Sequence, residues 1–520
     1  MREFNVAGNC SKGKHYMVDT GEKLNKIKNM VDRGNYFTIN RGRQYGKTTT
    51  LYLLREMLKH EYLCLKISFE GSGEVMFSSE AAFCESFLCM LDSAQNKISE
   101  TETTTWQDES VTDFMKLNTH ISALCKDRKV VLLVDEVDKS SNNQIFLHFL
   151  GVLRNKYLAR NAGDGHTFHS VILAGVNDIK NIKQKMITSG THTPNSGEGI
   201  YNSPWNIAAK FKVDMSFNPA EIETMLNDYE NEHSTGMDMT EIANEIYNYT
   251  NGYPFLVSSI CKTIDEDLDN DWTANGVQEA VKIILDDNDN TLLGNLIKQI
   301  KDDAELAALV RSLVIFGDQR PFNIHDNAIN LGCMYGFLER KNGLVVISNK
   351  IFEICITSYS IVREIGIKNE TNPVRSSEVV KNSKFDMETC LRKFSEHYYE
   401  LFAERDAKFL EREGRLLFLS YLKPLINGVG FYYIEAETRD SRRMDIVLDY
   451  NKEQFIVELK IWDGEKHKEE AYEQLLDYMK YKNIDTGYLL TFDFRKEKNK
   501  ERKAEWVDFD GGKRIFDVVV

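Results

Sequence analysis

Apolar runs at Tyr36–Ile39, Leu63–Phe69, Val130–Val134, Ser170–Leu173 and Phe211–Phe217 punctuate the first part of the chain. Runs this short, with Val130–Val134 apolar throughout, read as strands buried on both faces of a parallel sheet. Helically patterned stretches separate them: an amphipathic segment near Lys23–Val31 comes before the first strand, and Leu51, Leu54 and Leu58 share one face after it. Alternating strands and helices predict a parallel sheet with helices on both faces, closed by Phe211–Phe217 as its fifth strand. From Asn218 onward the pattern is helical, at Pro219–Tyr229, Met239–Tyr249 and Pro254–Asp267. Gly252 ends one of these helices and Pro254 starts the next.

Two further helices are expected near Glu305–Phe316 and Asp326–Leu331, followed by a hairpin turning at Lys341-Asn342-Gly343. This order looks like a winged helix. Its second helix, Ile324–Leu331, carries no Arg or Lys to meet phosphates, which favours a connector over a DNA reader. A polar linker follows. Then come amphipathic helices at Met387–Phe402 and Phe409–Leu425 and strands at Phe431–Ala436, Arg443–Tyr450 and Gln454–Trp462. A helix carrying Ala471, Gln474, Leu475 and Tyr478 precedes a last strand at Thr486–Phe492.

The first strand runs into Arg41-Gly42-Arg43-Gln44-Tyr45-Gly46-Lys47-Thr48-Thr49 and then a helix, the setting of a phosphate-binding loop. Lys47 would reach the outer phosphates of ATP, and Thr48 would hold Mg²⁺. The usual first glycine is absent: position 41 is Arg41, and the glycine comes one later, at Gly42. Asp135 and Glu136 end the third strand, where open α/β sheets place ligands. Asp135 would complete the metal shell and Glu136 would polarise the attacking water. Asn177, after the fourth strand, is the candidate sensor of the terminal phosphate, with a helix cap as the equal alternative.

A second constellation lies at Asp445 and Glu458-Leu459-Lys460. Glu458 and Lys460, two apart on one strand, share a face, and Asp445 can meet them across a hairpin. Two carboxylates can hold Mg²⁺ or Mn²⁺, and a lysine beside them can orient water or steady phosphorane charge. Glu413 on the preceding helix could complete the metal shell, and Gln474 on the following helix faces the same pocket. A surface salt-bridge cluster is the alternative reading of the triplet.

Composition narrows the classes. The 520 residues imply several domains, and the net charge of −15 argues against a surface coated for nonspecific nucleic-acid binding. Nine scattered cysteines form no Cys-x-x-Cys pair, so neither a zinc site nor a disulfide framework is expected. No apolar run is long enough to span a membrane and Met1–Asn5 starts no signal peptide, so a cytoplasmic protein is expected. Local basic residues, Arg439, Arg442, Arg443 and the run Lys496–Lys503, give weak support for a nucleic-acid partner.

The order of elements around Asp445, Glu458 and Lys460 resembles the PD-(D/E)xK nuclease superfamily, with its α-β-β-β-α-β core. Glu413, Asp445, Glu458, Lys460 and Gln474 stand at the matching positions, and Glu473-Gln-Leu-Leu-Asp-Tyr478 matches the helix after the active site. The whole chain resembles bacterial AAA-ATPase-like proteins that carry such a domain at the C-terminus. Their loop commonly reads Arg-Pro-Arg-Arg-Phe-Gly-Lys-Ser/Thr, which accounts for Arg41 in place of glycine. Ser203-Pro-Trp-Asn-Ile207 and Asn427-Gly-Val-Gly430 match two further family segments. The resemblance implies an α/β protein: a P-loop ASCE/AAA-type parallel sheet with a helical lid, a winged helix and a restriction-endonuclease-like C-terminal domain. The expected boundaries are 1–217 for the ATPase domain, 218–300 for the lid and 301–365 for the winged helix. The linker would take 366–386 and the nuclease-like domain 387–520. The implied activity is an ATPase coupled to a Mg²⁺-dependent nuclease acting on DNA or RNA, in defence or mobile-element biology. A nucleotide-switched scaffold that binds without cutting, and a regulator binding DNA through the winged helix, are the alternatives. A homo-oligomer stays open, with Arg154 or Arg160 as an arginine finger in trans or, equally, as a surface residue; no membrane partner is expected.

Overall fold

The structure, a computed structural model, describes residues 2–97, 105–140, 143–176, 205–287, 289–315, 318–368, 376–381, 384–402, 411–426, 430–433, 446–451, 453–462, 465–493 and 503–520. Asn177, Asp445, Ser203-Pro204, residues 427–429, Arg439, Arg442, Arg443 and 496–502 lie outside the described residues, as does the side chain of Glu413. The chain divides into two compact units. The first is Met1–Tyr247 with Gly252–Lys262 and Cys333–Gly336; the second is Asn248–Asn251 with Thr263–Gly332 and Phe337–Val520.

In the first unit β1 (Tyr36–Asn40), β2 (Leu63–Ser68), β3 (Val130–Asp135) and β4 (Ser170–Gly175) form a parallel sheet in the order β1-β4-β3-β2. Both faces are covered, which is why the strands read as unbroken apolar runs. Phe37, Ile39, Cys64, Val131, Leu133, Ile172 and Ala174 pack with helices Gly21–Asp32 and Lys47–Leu58 on one face. Tyr36, Leu65, Ile67, Leu132, Val134 and Leu173 pack with helices Glu80–Asn96, Phe114–Leu124 and Gln144–Ala162 on the other.

The expected fifth strand at Phe211–Phe217 does not form. Beside β1 there is a single parallel bridge, Phe37↔Ala209, in which the Ala209 amide donates to the Tyr36 carbonyl at 2.8 Å. Beyond it the Arg41 guanidinium, not a backbone amide, reaches the Val213 carbonyl at 2.9 Å. Val213 and Met215 are buried, so the apolar signal of this segment reports packing and not pairing.

Helices Pro219–His233, Met239–Thr250 and Pro254–Asp267 follow where the periodicity placed them. The first starts on a full capping box, Asn218 with Glu221. Further along are helices Ala304–Val314 and Asn327–Tyr335 and the hairpin β5 (Leu338–Lys341) and β6 (Leu344–Ile347). Asn342 and Gly343 turn it with φ of 51° and 82°, the left-handed pair that Asn-Gly supplies cheaply. Helix Lys350–Lys368 enters the expected linker, whose far end holds helix Ser376–Val379 and the short strands β7 (Val380–Lys381) and β8 (Lys384–Phe385).

The second unit's main sheet contains β9 (Gly430–Tyr433), β10 (Ile446–Tyr450), β11 (Glu453–Ile461), β12 (Thr486–Phe492), β13 (Ala504–Asp508) and β14 (Arg514–Val519). Their order is β13-β14-β12-β11-β10-β9. β9, β10 and β11 are antiparallel neighbours, and β11 pairs parallel with β12 through the crossover helix Glu465–Lys482. With helix Glu411–Ile426 in front, this is the expected α-β-β-β-α-β core. The sequence pattern predicts no strand after β12. The structure adds β14, parallel to β12, and β13, antiparallel to β14.

Candidate functional site

The phosphate loop is built on the end of β1. Gly46 caps the following helix with φ 72°, and Gln44 is also left-handed at 55°. Thr50 bonds back to the Gly46 carbonyl through both its amide and its hydroxyl, at 2.9 Å each, which fixes the first helical turn. Lys47 is 6% exposed, and its Nζ donates to the carbonyls of Arg41 at 3.0 Å and Gly42 at 2.8 Å. Burial pulls its ammonium below the ordinary lysine range, against the attraction of Asp138, Glu136 and Asp135. The Arg41 side chain turns away, to the carbonyls of Asn40 and Val213 and the ring of Phe211, so the loop gains only its backbone. Arg43 and Gln44 are exposed, Tyr45 is half-buried, and the Thr49 hydroxyl accepts from the Cys10 amide at 3.3 Å.

The acidic end of β3 lies beside this loop. Asp135 is 3% exposed, and its Oδ1 accepts from the Glu136 amide at 3.1 Å. Glu136 holds a left-handed backbone, φ 53°, which a side chain rarely adopts outside a constrained site. Burial pushes its carboxyl above the usual range; Lys47 opposes this, and Asp135 and Asp138 add to it. Asp138 Oδ2 accepts from the Val176 amide at 2.6 Å and so holds the end of β4. Thr48 and Asp135 offer the hard oxygen donors that Mg²⁺ takes, next to a helix N-terminus suited to phosphate.

Three contacts at this site do not follow from the sequence pattern. Lys66 on β2 places its Nζ 3.7 Å from Asp135 Oδ2 and 3.5 Å from the Thr48 carbonyl. The alternation of β2, with Cys64 and Lys66 facing the same side, is the signal that could have found it. Tyr253, in the Gly252-Tyr253-Pro254 turn, donates its hydroxyl to the Arg43 carbonyl and meets Tyr45 edge-on at 4.6 Å. Gly42 packs so tightly that a Cβ there would sit 2.5 Å from the Tyr335 carbonyl oxygen. Arg160, in contrast, spends its guanidinium on the carbonyls of Gly34, Phe168 and His169, which makes it a clamp at the foot of the sheet.

The second site is carried by β11. Glu458 is 1% exposed, and Lys460 Nζ lies 2.8 Å from its Oε1, both side chains on one face as the period of two requires. Their sheet partners on β12 are Leu489 and Thr491. The β10–β11 ladder starts at Ile446↔Val457, immediately beside Glu458. Helix Glu465–Lys482 packs on β11 and β12 with Ala471, Leu475, Tyr478 and Met479 buried, and Gln474 half-buried next to Leu475. Glu413 lies in the first turn of helix Glu411–Ile426. Among the described residues no three acidic, His or Cys groups cluster as a metal site. On the same sheet face and register row as Glu458, through Leu489, stands Asp517 of β14. It is fully buried, and its Oδ2 takes Lys468 Nζ at 2.5 Å and the Tyr472 hydroxyl at 2.7 Å.

Residues 428–503 match the model of the PD-(D/E)XK nuclease superfamily. No curated protein matches the chain. Among solved structures, the Walker-type ATPase PABY2304 of Pyrococcus abyssi is 12% identical, with a TM-score of 0.48 over 68% of this chain and 99% of that one. The RuvB Holliday junction branch migration motor of Thermotoga maritima is 11% identical, with a TM-score of 0.32 over 64% and 92%. The ORC2 protein of Aeropyrum pernix is 10% identical, with a TM-score of 0.33 over 66% and 93%. Among the described residues no helix is long and apolar enough to cross a membrane.

Proposed function

We propose that this chain, a P-loop-type α/β ATPase fold followed by a PD-(D/E)XK nuclease superfamily domain, is a nucleotide-controlled, metal-dependent nuclease acting on DNA or RNA. The observation that carries the reading is the buried Glu458 with Lys460 Nζ at 2.8 Å, inside the segment that matches the nuclease superfamily. A carboxylate this buried costs desolvation energy even with one lysine beside it, and a divalent cation at the same place would offset that cost.

In the C-terminal domain, Glu458, with Asp445 and Glu413, would hold a divalent ion whose charge steadies the phosphodiester. Lys460 orients the attacking water and offers its ammonium to the negative charge that develops on the phosphoryl oxygens. Water adds to phosphorus, the bridging P–O bond breaks, and a phosphate monoester and a hydroxyl result. In the N-terminal unit, Lys47 would exchange the carbonyls of Arg41 and Gly42 for phosphate, and Thr48 and Asp135 would hold Mg²⁺. Glu136 aligns the hydrolytic water. The Tyr253 turn, bonded to the Arg43 carbonyl, acts as a helical lid that feels whether the loop is filled. Helices Ala304–Val314 and Asn327–Tyr335 with their hairpin serve as a winged-helix connector; the second helix has no Arg or Lys for phosphate. A role in defence or mobile-element biology suits this pairing of activities.

The test is incubation of the purified chain with linear, circular and single-stranded DNA and with RNA, in Mg²⁺ or Mn²⁺, with and without ATP. Lys47→Ala is run in parallel. Metal-dependent cleavage whose response to ATP is lost in Lys47→Ala is expected. ATP hydrolysis that persists in Lys47→Ala would remove the phosphate-loop assignment.

A further inference from the structure

Lys66 is a lysine that the reading above does not use. It projects from β2 toward the helix Lys47–Leu58, on the same face as Cys64, whose side chain is buried in the core beneath that helix. Register places Lys66 beside Leu133, two pairs short of Ser68↔Asp135 and on the same sheet face. From there its Nζ reaches up to Asp135 Oδ2, 3.7 Å away, and to the Thr48 carbonyl, 3.5 Å away. It therefore touches both residues assigned to the metal. Lys47 is turned to its own loop carbonyls, at 3.0 and 2.8 Å, so the ammonium next to Asp135 is that of Lys66. Asp135 is 3% exposed and the Lys66 side chain 19%, so water screens this pair poorly.

A buried carboxylate placed to take a divalent ion must be neutralised when the ion is away. We propose that Lys66 is the resident counter-ion of Asp135: it holds the carboxylate in the nucleotide-free chain and yields it when a divalent cation arrives with nucleotide. This rests on the ATP reading of the loop. Two consequences follow with opposite signs. With no metal, Lys66 shields the phosphates from Asp135 and so permits some metal-free nucleotide binding. With metal, the ammonium competes for the carboxylate and raises the concentration of Mg²⁺ required. Lys66 is thus a positioning residue that sets how tightly nucleotide and metal binding are coupled.

The test uses the full chain and the fluorescent nucleotide mant-ADP, titrated in EDTA and then with Mg²⁺. Lys66→Met is expected to lower the Mg²⁺ midpoint about tenfold and to weaken metal-free binding by a similar factor, the size expected for one partly buried charge. Lys66→Arg, which keeps the charge, is expected to stay near wild type. If Lys66→Met does not melt like wild type, Lys66→Gln takes its place. An unchanged or raised Mg²⁺ midpoint in the neutral variant overturns the proposal, as does an equal shift in Lys66→Arg, which would assign the effect to packing. Failure of the underlying reading looks different: mant-ADP would not bind the wild-type chain, or would bind Lys47→Ala equally well.

Discussion

Gly42 leaves no room for a side chain, and the cost of adding one can be sized from its surroundings. An ideal Cβ on Gly42 falls 2.5 Å from the Tyr335 carbonyl oxygen and 3.1 Å from its carbon. Ordinary contact would require a retreat of about 1 Å, and the obstacle is backbone, not a side chain that can swing away. The same loop carries the Arg41 and Gly42 carbonyls that hold Lys47 and the Arg43 carbonyl that holds Tyr253. Any retreat is paid in those bonds or in the 333–336 turn. Overpacking of this kind costs about 1–3 kcal/mol. For a unit of this size that is about 2–4 °C of melting temperature per kcal/mol. Gly42→Ala should therefore lower the first transition in calorimetry and weaken mant-ADP binding together. Gly73→Ala is the matched control, since Gly73 has open space around its Cβ position and φ −70°. If Gly42→Ala melts and binds like wild type, the close approach is not a constraint and the loop is freer than this geometry allows.

Glu136→Gln should keep nucleotide binding and lose hydrolysis, read by a phosphate-release assay. Its effect on stability has a definite sign. Burial raises the Glu136 carboxyl above its unfolded value, so the fold favours the neutral form, and that contribution is lost as pH rises through the raised value. Above that raised value the ionised carboxylate is a burden, so the amide variant should melt higher than wild type there, with the gap closing as pH falls into the ordinary carboxylate range; an amide variant that melts lower at the high-pH end would contradict this. In the C-terminal unit, Lys468→Met leaves Asp517 buried without its ammonium. Breaking such a pair costs about 3–5 kcal/mol, so the second transition should fall steeply, and an unchanged transition would show that the pair is not closed in solution.

Much of this architecture was legible because its strands obey simple periodicities. The unbroken apolar run Val130–Val134 marks a strand buried on both faces, and Asn342-Gly343 marks its hairpin. Phe211–Phe217 misled for the same reason: apolar character reports burial, and here burial comes without a ladder beyond Ala209. β13 and β14 went unread because the basic run before them resembles a solvated tail. The Asp510-Gly511-Gly512 turn, with both glycines left-handed, was the signal for that hairpin. Motif residues such as Lys47, Asp135, Glu458 and Lys460 follow from local spacing. Lys66, Tyr253 and Asp517 do not, because each acts on a residue distant in the chain, and only the register of the sheet or the fold of the turn brings them there.

The nuclease reading stands or falls on whether β11 carries cutting chemistry. The most direct measurement is metal-dependent cleavage of a mixed DNA and RNA panel by wild type and Lys460→Ala, purified side by side and matched by melting curve. Wild type is expected to cleave in Mg²⁺ or Mn²⁺ and to lose cleavage in EDTA, with a loss of at least about a hundredfold in Lys460→Ala. Cleavage that survives Lys460→Ala, or a wild-type chain that cuts nothing in the panel, would contradict that reading.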